Sequence, residues 1–444
     1  MCRVVLEAAT PLAIGTGEKD FLTDATVALD VNGLPYIPAT SIAGVIRHFL
    51  EQKGICVNDI LGYQKAKEGM GSRIVFSDAK ILDSKGNVRD GMFDVTEDND
   101  SLLLEYLNLP IRQHVCITDK GTSKKGGKFD NMVVFAGTRF CFEMEFFLKE
   151  NEENHVFEEL KKILYDETFR LGSGTRNGYG KVKVVSFKEK MLNLKDKKDL
   201  TSYIKKSSCL ADEYFWDVEP VSFGEPYSCD VKYILSLEPR DFFLFGSGYG
   251  DTDSDTNAVT ESKVVWNKEG TEAHVEENQT LIPATSMKGA LSHRVAFYYN
   301  KKKGLYVGNS DAKTGNENKA VQTLFGFEDQ SGRVQKRGML IFSDIIAEPL
   351  KGKILNHVMI DRFTGGAVDG ALFAERPLYG ANAKFRFEVI LVHSIADDDI
   401  KYALEMSLKD ICNGMLPLGG GINRGNGMFS GKVVKIEKGK ETEL

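Results

Sequence analysis

Paired cysteines are missing from this chain. Its seven cysteines lie singly along 444 residues with no Cys-x-x-Cys, so neither a zinc site nor a disulfide framework is encoded. The seven histidines show no His-x-His or His-x-x-x-His spacing, and no Ser-His-Asp or Cys-His set can be assembled. His48 and His293 fall on two equivalent predicted helices, and His114 and His357 on a repeated strand, where surface or packing roles are expected. No apolar run approaches the roughly 18 residues of a membrane span, and no charged-then-apolar leader opens the chain. The expectation is a cytoplasmic protein with no membrane partner. Positive charge is not in excess: 57 Lys and Arg face 64 Asp and Glu, a formal net charge of −7. That argues against a free-standing, charge-driven nucleic-acid binder, while leaving room for local basic loops in a subunit of a larger assembly.

What the chain does have is itself, twice. Ile37-Pro38-Ala39-Thr40-Ser41-Ile42-Ala43-Gly44 returns 245 residues later as Ile282-Pro283-Ala284-Thr285-Ser286-Met287-Lys288-Gly289. Phe76-Ser77-Asp78 returns as Phe342-Ser343-Asp344, and His114-Val115-Cys116-Ile117 as His357-Val358-Met359-Ile360. The glycine-rich stretch 171–182 returns as 418–433. Four signals in one order mean a duplicated module, which agrees with two domains of about 200 residues each.

The first module spans 1–190, residues 191–230 read as an exposed Lys- and Asp-rich linker, and the second module spans 231–444. Cys2–Ala8, Thr26–Leu29, Arg73–Phe76, Thr138–Phe147 and Lys181–Phe187 carry strand signals. Thr40 or Ser41 is placed to cap a helix whose apolar positions Ile42, Val45, Ile46, Phe49 and Leu50 recur at helical spacing, and Lys161–Tyr165 predicts a second helix. Val231–Leu237 opens the second module as Cys2–Ala8 opens the first. Strands mixed with few helices, without strict βαβ alternation, predict an α+β fold. Long aperiodic insertions, at 84–135 and at 300–336 with 361–380, are of the kind that carries function.

Both terminal loops combine glycine with arginine: Gly174, Arg176 and Gly178 in the first, Gly421, Arg424 and Gly425 in the second. Glycines let backbone N–H groups turn toward a phosphate, and the guanidinium adds a charged fork. A tight connection before the last strand uses glycine equally well. Gly15-Thr16-Gly17 and Gly246-Ser247-Gly248 are not followed by a GxGxxG or a βαβ unit, which excludes a dinucleotide fold. Asp251 to Asn257 begins like a calcium loop, but it lacks glycine at the sixth position and ends on Ser262 instead of glutamate; a solvated acidic loop is expected. Lys120, Lys124, Lys125 and Lys128 make the first insertion basic. In the second, Asp361-Arg362-Phe363-Thr364-Gly365 offers an aromatic side chain that can stack on a base.

Taken together, the opening Gly-x-Gly, the Pro-x-x-Ser-x-x-Gly segment, the Phe-Ser-Asp strand, the Asp-Arg-x-Thr-Gly hairpin and the terminal glycine loop with arginine resemble the RAMP superfamily. The resemblance is to backbone subunits of type III CRISPR interference complexes, and it covers both modules. It implies two tandem ferredoxin-like (RRM-like) modules, each with an inserted thumb hairpin and lid, stacked along a guide RNA with other effector subunits. It also implies cleavage of guide-paired, single-stranded target RNA by an aspartate in the loop after Gly-x-Gly. Asp24 stands at that position, with Asp20 as the neighbouring candidate; Mg²⁺ or another divalent metal held by Asp24 is the implied cofactor. In the second module the position falls near Glu261 or in the run from Asp251 to Asp255, with the following strand lengthened by Lys268–Gln279. Ala43 stands where the second copy has Lys288, and the first thumb lacks the Arg-x-Thr-Gly signature. The implied RNA contacts are Gly15, Gly17, Ser41, Gly44, Arg47, Lys120, Lys124, Lys125, Gly174, Arg176, Gly178, Ser286, Lys288, Arg294, Arg362, Phe363, Thr364, Gly421, Arg424 and Gly425. Two alternatives stay open: a non-catalytic RNA-binding scaffold subunit, and a guide-processing endoribonuclease acting through His48 or tyrosines. Which module cuts is also open.

Overall fold

The computed structural model describes all residues except 18–22, 66–67, 119–120, 150–154, 222–230, 307, 330–333 and 381. The duplication read in the sequence is a duplication in space. In the first module the strands Cys2–Ala8, Ile74–Phe76, Arg139–Phe146 and Val182–Glu189 join the helices Ala39–Gln52 and His155–Leu164 in the order βαββαβ. The second module repeats this with strands Val231–Pro239, Leu340–Phe342, Phe385–Leu391 and Phe429–Glu437 and helices Ala284–Lys302 and Asp398–Cys412. In each sheet the first strand lies between the third and the fourth, and the second strand flanks the third. This is the ferredoxin-like arrangement. Residues 26–29 form only isolated bridges at Val27 and Leu29, not the strand expected there.

Periodicity explains the layers. Val231, Tyr233, Leu235 and Leu237 alternate inward along their strand and meet helix positions Met287, Leu291 and Val295, each one helical turn from the last. Ile42, Ile46 and Leu50 do the same beneath Val4 and Leu6, all fully buried; burying each such side chain is worth about 1.5–3 kcal/mol.

Neither repeated helix is capped by its own Thr or Ser. Each starts after proline (Pro38, Pro283) without a side-chain cap from its own segment. The free N–H of Ala39 donates to Asp78 at 2.8 Å, and that of Ala284 to Asp344 at 2.8 Å. The Phe-Ser-Asp and Ile-Pro-Ala-Thr-Ser repeats are therefore two halves of one device: a strand-end carboxylate placed on a positive helix terminus.

Residues 193–221 are largely exposed, as the Lys- and Asp-rich run 194–199 indicates, but they carry structure of their own. Asp196 accepts from the N–H groups of Lys198 and Asp199 and starts a helix at Lys197–Lys205. The chain then folds over the outer face of the first sheet. There Leu210, Phe215 and Trp216 are buried, and Trp216 Nε1 donates to Glu143 at 2.5 Å. Arg3 bonds Glu143, the carbonyl of Leu210 and Glu213. Alternation is hidden in Cys2–Ala8 because both of its faces are covered.

The insertions are hairpins. Ile111–Ile117 pairs with Ser123–Met132 in the first module, and Leu355–Ile360 with Ala367–Arg376 in the second; these are the thumbs. After the first helix each module adds a short helix and a small hairpin as a lid, at 58–70 and 319–337. The lengthened segment of the second module is a third device. Strands Thr260–Trp266 and Ala273–Ile282 form a hairpin that reaches the first module. Trp266 Nε1 donates to the carbonyl of Gly137 at 2.9 Å, and Arg139 lies over the Trp266 ring at 3.9 Å. Among the described residues no helix is long and apolar enough to cross a membrane.

Candidate nucleic-acid interface

The modules dock head to tail. The N–H of Asp344 donates to the carbonyl of Gly178, so the first glycine loop lies along the second Phe-Ser-Asp strand. Gly178 has φ +110°, and an added Cβ would fall 2.3 Å from an Asp344 carboxylate oxygen and 2.8 Å from Ala284 Cβ. Glycine at this position serves close approach between modules. From the base of the first thumb, Arg112 extends into the second module. Its Nε donates to Glu261 at 2.8 Å, its Nη1 donates to Asp344, and the Tyr179 ring lies 5.2 Å away. All three charged side chains are buried. Burial pushes the Glu261 carboxyl up, opposed by Arg112. Glu261, a candidate for cleavage, is thus a buried structural ion-pair partner. Asp344 is buried where Asp78, its counterpart, is exposed.

Cations gather where the first glycine loop meets the second repeated helix. Arg176 lies in the loop with its Nε buried and unpartnered. Its guanidinium is pushed down to about 10 by burial and by Arg337. Arg170 is pushed to about 10 by burial and by Arg176. Lys288 is lowered by burial and then by Arg176, while its Nζ donates to Asn177 at 2.9 Å. Mutually repelling, partly desolvated cations thus lie together near the start of the helix Ala284–Lys302, where a phosphodiester oxygen would relieve the repulsion. Gly174, Ser286 and Lys288 belong to this neighbourhood by sequence position. Arg170 and Arg337 were not singled out from the sequence, since neither lies in a repeated motif.

Other expected contacts have internal partners. Arg47 Nη2 donates to the carbonyls of Leu61 and Gly62, tying the first helix to its lid. Arg294 donates to Asp410 at 2.5 Å. Arg424 does not mirror Arg176: it bonds Glu375 of the second thumb at 2.5 Å, beside Gly421 and Gly425, both in left-handed turns. Ser41 is half-buried and Gly44 exposed on the first helix. Lys124 and Lys125 are exposed on the first thumb; Lys120 lies outside the described residues. At the tip of the second thumb, Asp361 accepts from the N–H groups of Phe363 and Thr364 and from the Thr364 hydroxyl. This leaves Arg362 exposed and Phe363 99% exposed, an arrangement suited to stacking on a base.

Asp24 stands in the loop that begins at Gly15 and Gly17 and returns at Val27, which bridges Gly15. It is exposed and locked to the base of the first thumb by a reciprocal pair. The Asp24 N–H donates to Asp130 Oδ1 at 2.8 Å, and the Asp130 N–H to Asp24 Oδ2 at 3.2 Å. Asp20 lies outside the described residues. Among the described residues no three His, Cys, Asp or Glu side chains cluster as a metal cage. Two adjacent carboxylates nevertheless fit Mg²⁺, which typically takes one or two carboxylates and completes its shell with water and substrate phosphate. In the second module Asp251 accepts from the N–H groups of Asp253 and Ser254 and bonds Arg376 at 2.6 Å. The backbone N–H of Asp253 leads the causes that hold its carboxyl down at about 2. It is a loop staple.

The model of the RAMP superfamily matches residues 5–183 and 260–430. The chain belongs to the RAMP superfamily. Both matches fall on the ferredoxin-like modules, so the tandem architecture is a tandem of RAMP modules. Among curated relatives, the CRISPR system Cms endoribonuclease Csm3 of Methanocaldococcus jannaschii is 33% identical over 193 residues, covering 40% of this chain and 75% of that protein. Two solved type III-B Cmr-beta structures, one in the apo state and one bound to cognate target RNA, contain chains 17% identical to this one. Each covers 41% of this chain, and 95% and 96% of its own length respectively, with a TM-score of 0.31. The second RAMP match starts after the Gly246–Ala258 loop, leaving that acidic loop outside it.

Proposed function

We propose that this chain is a backbone subunit of a type III CRISPR complex which binds guide RNA and cleaves guide-paired target RNA at Asp24. The observation that carries the reading is an exposed carboxylate fixed to the thumb base in a RAMP module. The M. jannaschii relative, named an endoribonuclease, supports it. Phosphates of the RNA lie against Arg176, Lys288 and Arg170. The thumb tip with Arg362 and Phe363 meets the bases. The exposed Asp78 edge and the second glycine loop are the two ends by which neighbouring subunits continue the head-to-tail contact.

Cleavage needs positioning more than covalent help. The target ribose 2′-oxygen attacks its own 3′-phosphorus, the 2′-O–P bond forms, and the P–5′-O bond breaks. A 2′,3′-cyclic phosphate and a 5′-hydroxyl result. Alignment of the attacking and leaving oxygens supplies much of the acceleration. Asp24 orients the 2′-hydroxyl and takes its proton, while solvent protonates the departing 5′-oxygen. A divalent ion, held by Asp24 and Asp130 when bound, would neutralise charge developing on the phosphate.

The complex assembled with guide RNA, matched target and Mg²⁺ tests this. Asp24→Ala should abolish one cut by roughly 10²–10⁴-fold with guide retention unchanged. Every cut persisting at the original rate would refute the assignment. No cut even in the unmodified complex would establish the scaffold role instead.

A further inference from the structure

We propose that this chain does not stack on a second copy of itself, and that its open head face is built for a different RAMP subunit, one with arginine at the base of its thumb. This rests on the head-to-tail reading above and names the chemistry by which the head selects its partner.

The internal junction shows what a completed contact needs. Its tail side gives Arg112 and the Gly178 carbonyl; its head side gives Glu261, Asp344 and the Asp344 N–H. The same places recur at the open head. Asp78 repeats Asp344, completing its own helix start in the same way. Asp30 repeats Glu261: each stands three residues after the one, Val27 or Ala258, that bridges the loop glycine. Strand pairing gives the same register, since Leu29 meets Pro35 and Thr260 meets Thr280, each two residues before the Ile-Pro repeat. Asp30 Oδ1 accepts from the N–H groups of Asn32 and Leu34 within its own turn. Asp78 is exposed and Asp30 half-buried. Among the described residues neither carboxylate has an ion-pair partner, and the Asp78 N–H has no acceptor. The head therefore has the acceptors of the internal junction and lacks the arginine.

The tail of the same chain cannot supply it. His114 opposes Phe129 and His357 opposes Phe373, and both pairs are stacked with centroids 4.9 Å apart. Two residues before each histidine, Arg112 opposite Asn131 becomes Leu355 opposite Glu375. Leucine has replaced the cation, and a carboxylate stands beside it, held by Arg424 and His357. The backbone there is otherwise ready for a neighbour: Gly425 repeats Gly178 in the left-handed region, and a Cβ on it would meet nothing within 4 Å. Docking this tail on this head would bring Asp30 and Asp78 against Leu355 and Glu375, three carboxylates of which only Glu375 has its cation. Arg424 stands where Asn177 accepts from Lys288; across a self-junction it would face Ala43, whose methyl offers no acceptor. Juxtaposed like charge is how an interface refuses a wrong partner. A head-to-tail contact that repeated on itself would grow an open filament, and the Arg112-to-Leu355 difference stops it after one covalent junction. A subunit with arginine two residues before its thumb histidine would make at Asp78 the bond that Arg112 makes at Asp344.

The test uses the full chain alone in sedimentation velocity, with this chain as its own probe. The unmodified protein is compared with Leu355→Arg and with Leu355→Arg/Glu375→Asn, which rebuilds the pairing of the first thumb. Each is repeated with Asp78→Asn, which keeps an oxygen for the Ala39 N–H and removes the charge. The unmodified chain should stay monomeric. The arginine forms should self-associate roughly 10-fold or more tightly, the low end of coupling at close interfacial charge pairs, and Asp78→Asn should reverse the gain. Self-association of the unmodified chain overturns the inference. So do arginine forms that melt cooperatively and stay monomeric, and so does association indifferent to Asp78→Asn. Crosslinking in the complete complex with guide RNA gives a second readout that needs no variant: a link between the Asp78 strand of one copy and the second thumb of another overturns the inference and leaves the proposed function standing. If no complex assembles with guide RNA, the proposed function fails, while the free-chain comparison still decides this inference.

Discussion

Replacing Arg112 by alanine is the sharpest probe of how the two modules are held. The guanidinium is 7% exposed, and its two partners, Glu261 and Asp344, are 2% and 1% exposed at their side chains. At an effective dielectric near 20, each such contact is worth about 4 kcal/mol before desolvation is charged against it. Removing the shared cation leaves two carboxylates buried together, and breaking a buried pair from one side costs about 3–5 kcal/mol. Trp266 sits in the junction, and the other tryptophan is Trp216. In a Trp216→Phe background, fluorescence therefore reports separation of the modules. With a urea m-value of about 1–3 kcal/mol/M, the midpoint should fall by roughly 1–5 M. Acidity adds a second signature. Burial already raises the Glu261 carboxyl, and losing Arg112 removes the cation that opposes the rise. The folded variant then binds a proton that the unfolded chain releases, and its deficit should shrink as the pH falls from 7 toward 5. A loss below about 1 kcal/mol, the level of a solvent-exposed pair, with no recovery in acid, would refute the assignment of Arg112 as the pin.

Two further outcomes are expected. Arg176→Ala should weaken guide-RNA binding and reduce the slope of log affinity against log salt by about 1, as for loss of one phosphate contact; an unchanged slope in filter binding would remove Arg176 from the interface. Trp216→Ala should destabilise the first module by about 3–5 kcal/mol, read by calorimetry, because its ring closes the outer face of the sheet and its N–H satisfies Glu143; a loss under 1 kcal/mol would restore the view of 191–221 as a loose connection.

The duplicated motifs made the fold legible, since each marks a joint of the module: a helix start, a strand end, a thumb strand, a last turn. What they do for one another was not legible. Pro38 and Pro283 precede the helices, and the carboxylates that complete them arrive from Asp78 and Asp344, many residues away. The Lys- and Asp-rich run 194–199 is exposed as its composition indicates, while Leu210 and Trp216, which anchor the segment, lie beyond that run and leave no mark on it. At the site, counting back from the Ile-Pro segment fails in the second module, where the hairpin Thr260–Ile282 intervenes. Counting forward from the repeated Gly-x-Gly keeps register in both copies, since the loop from Gly246 to Ala258 is as long as that from Gly15 to Val27. Arg176 and Arg424 look interchangeable in sequence, but one has a buried nitrogen without a partner and the other is held by Glu375. Charge pairing across folds of the chain decides such cases.

The contact between the Gly178 carbonyl and the Asp344 N–H has a consequence for counting. A backbone assembled from separate single-module subunits can hold any number of them, and each junction forms at a rate set by subunit concentration. Here one junction is covalent, so its two halves meet at an effective concentration fixed by the chain and not by expression level. The two modules enter any assembly together and in one order. The interval between the first and second loops becomes a property of one gene product, insensitive to stoichiometry.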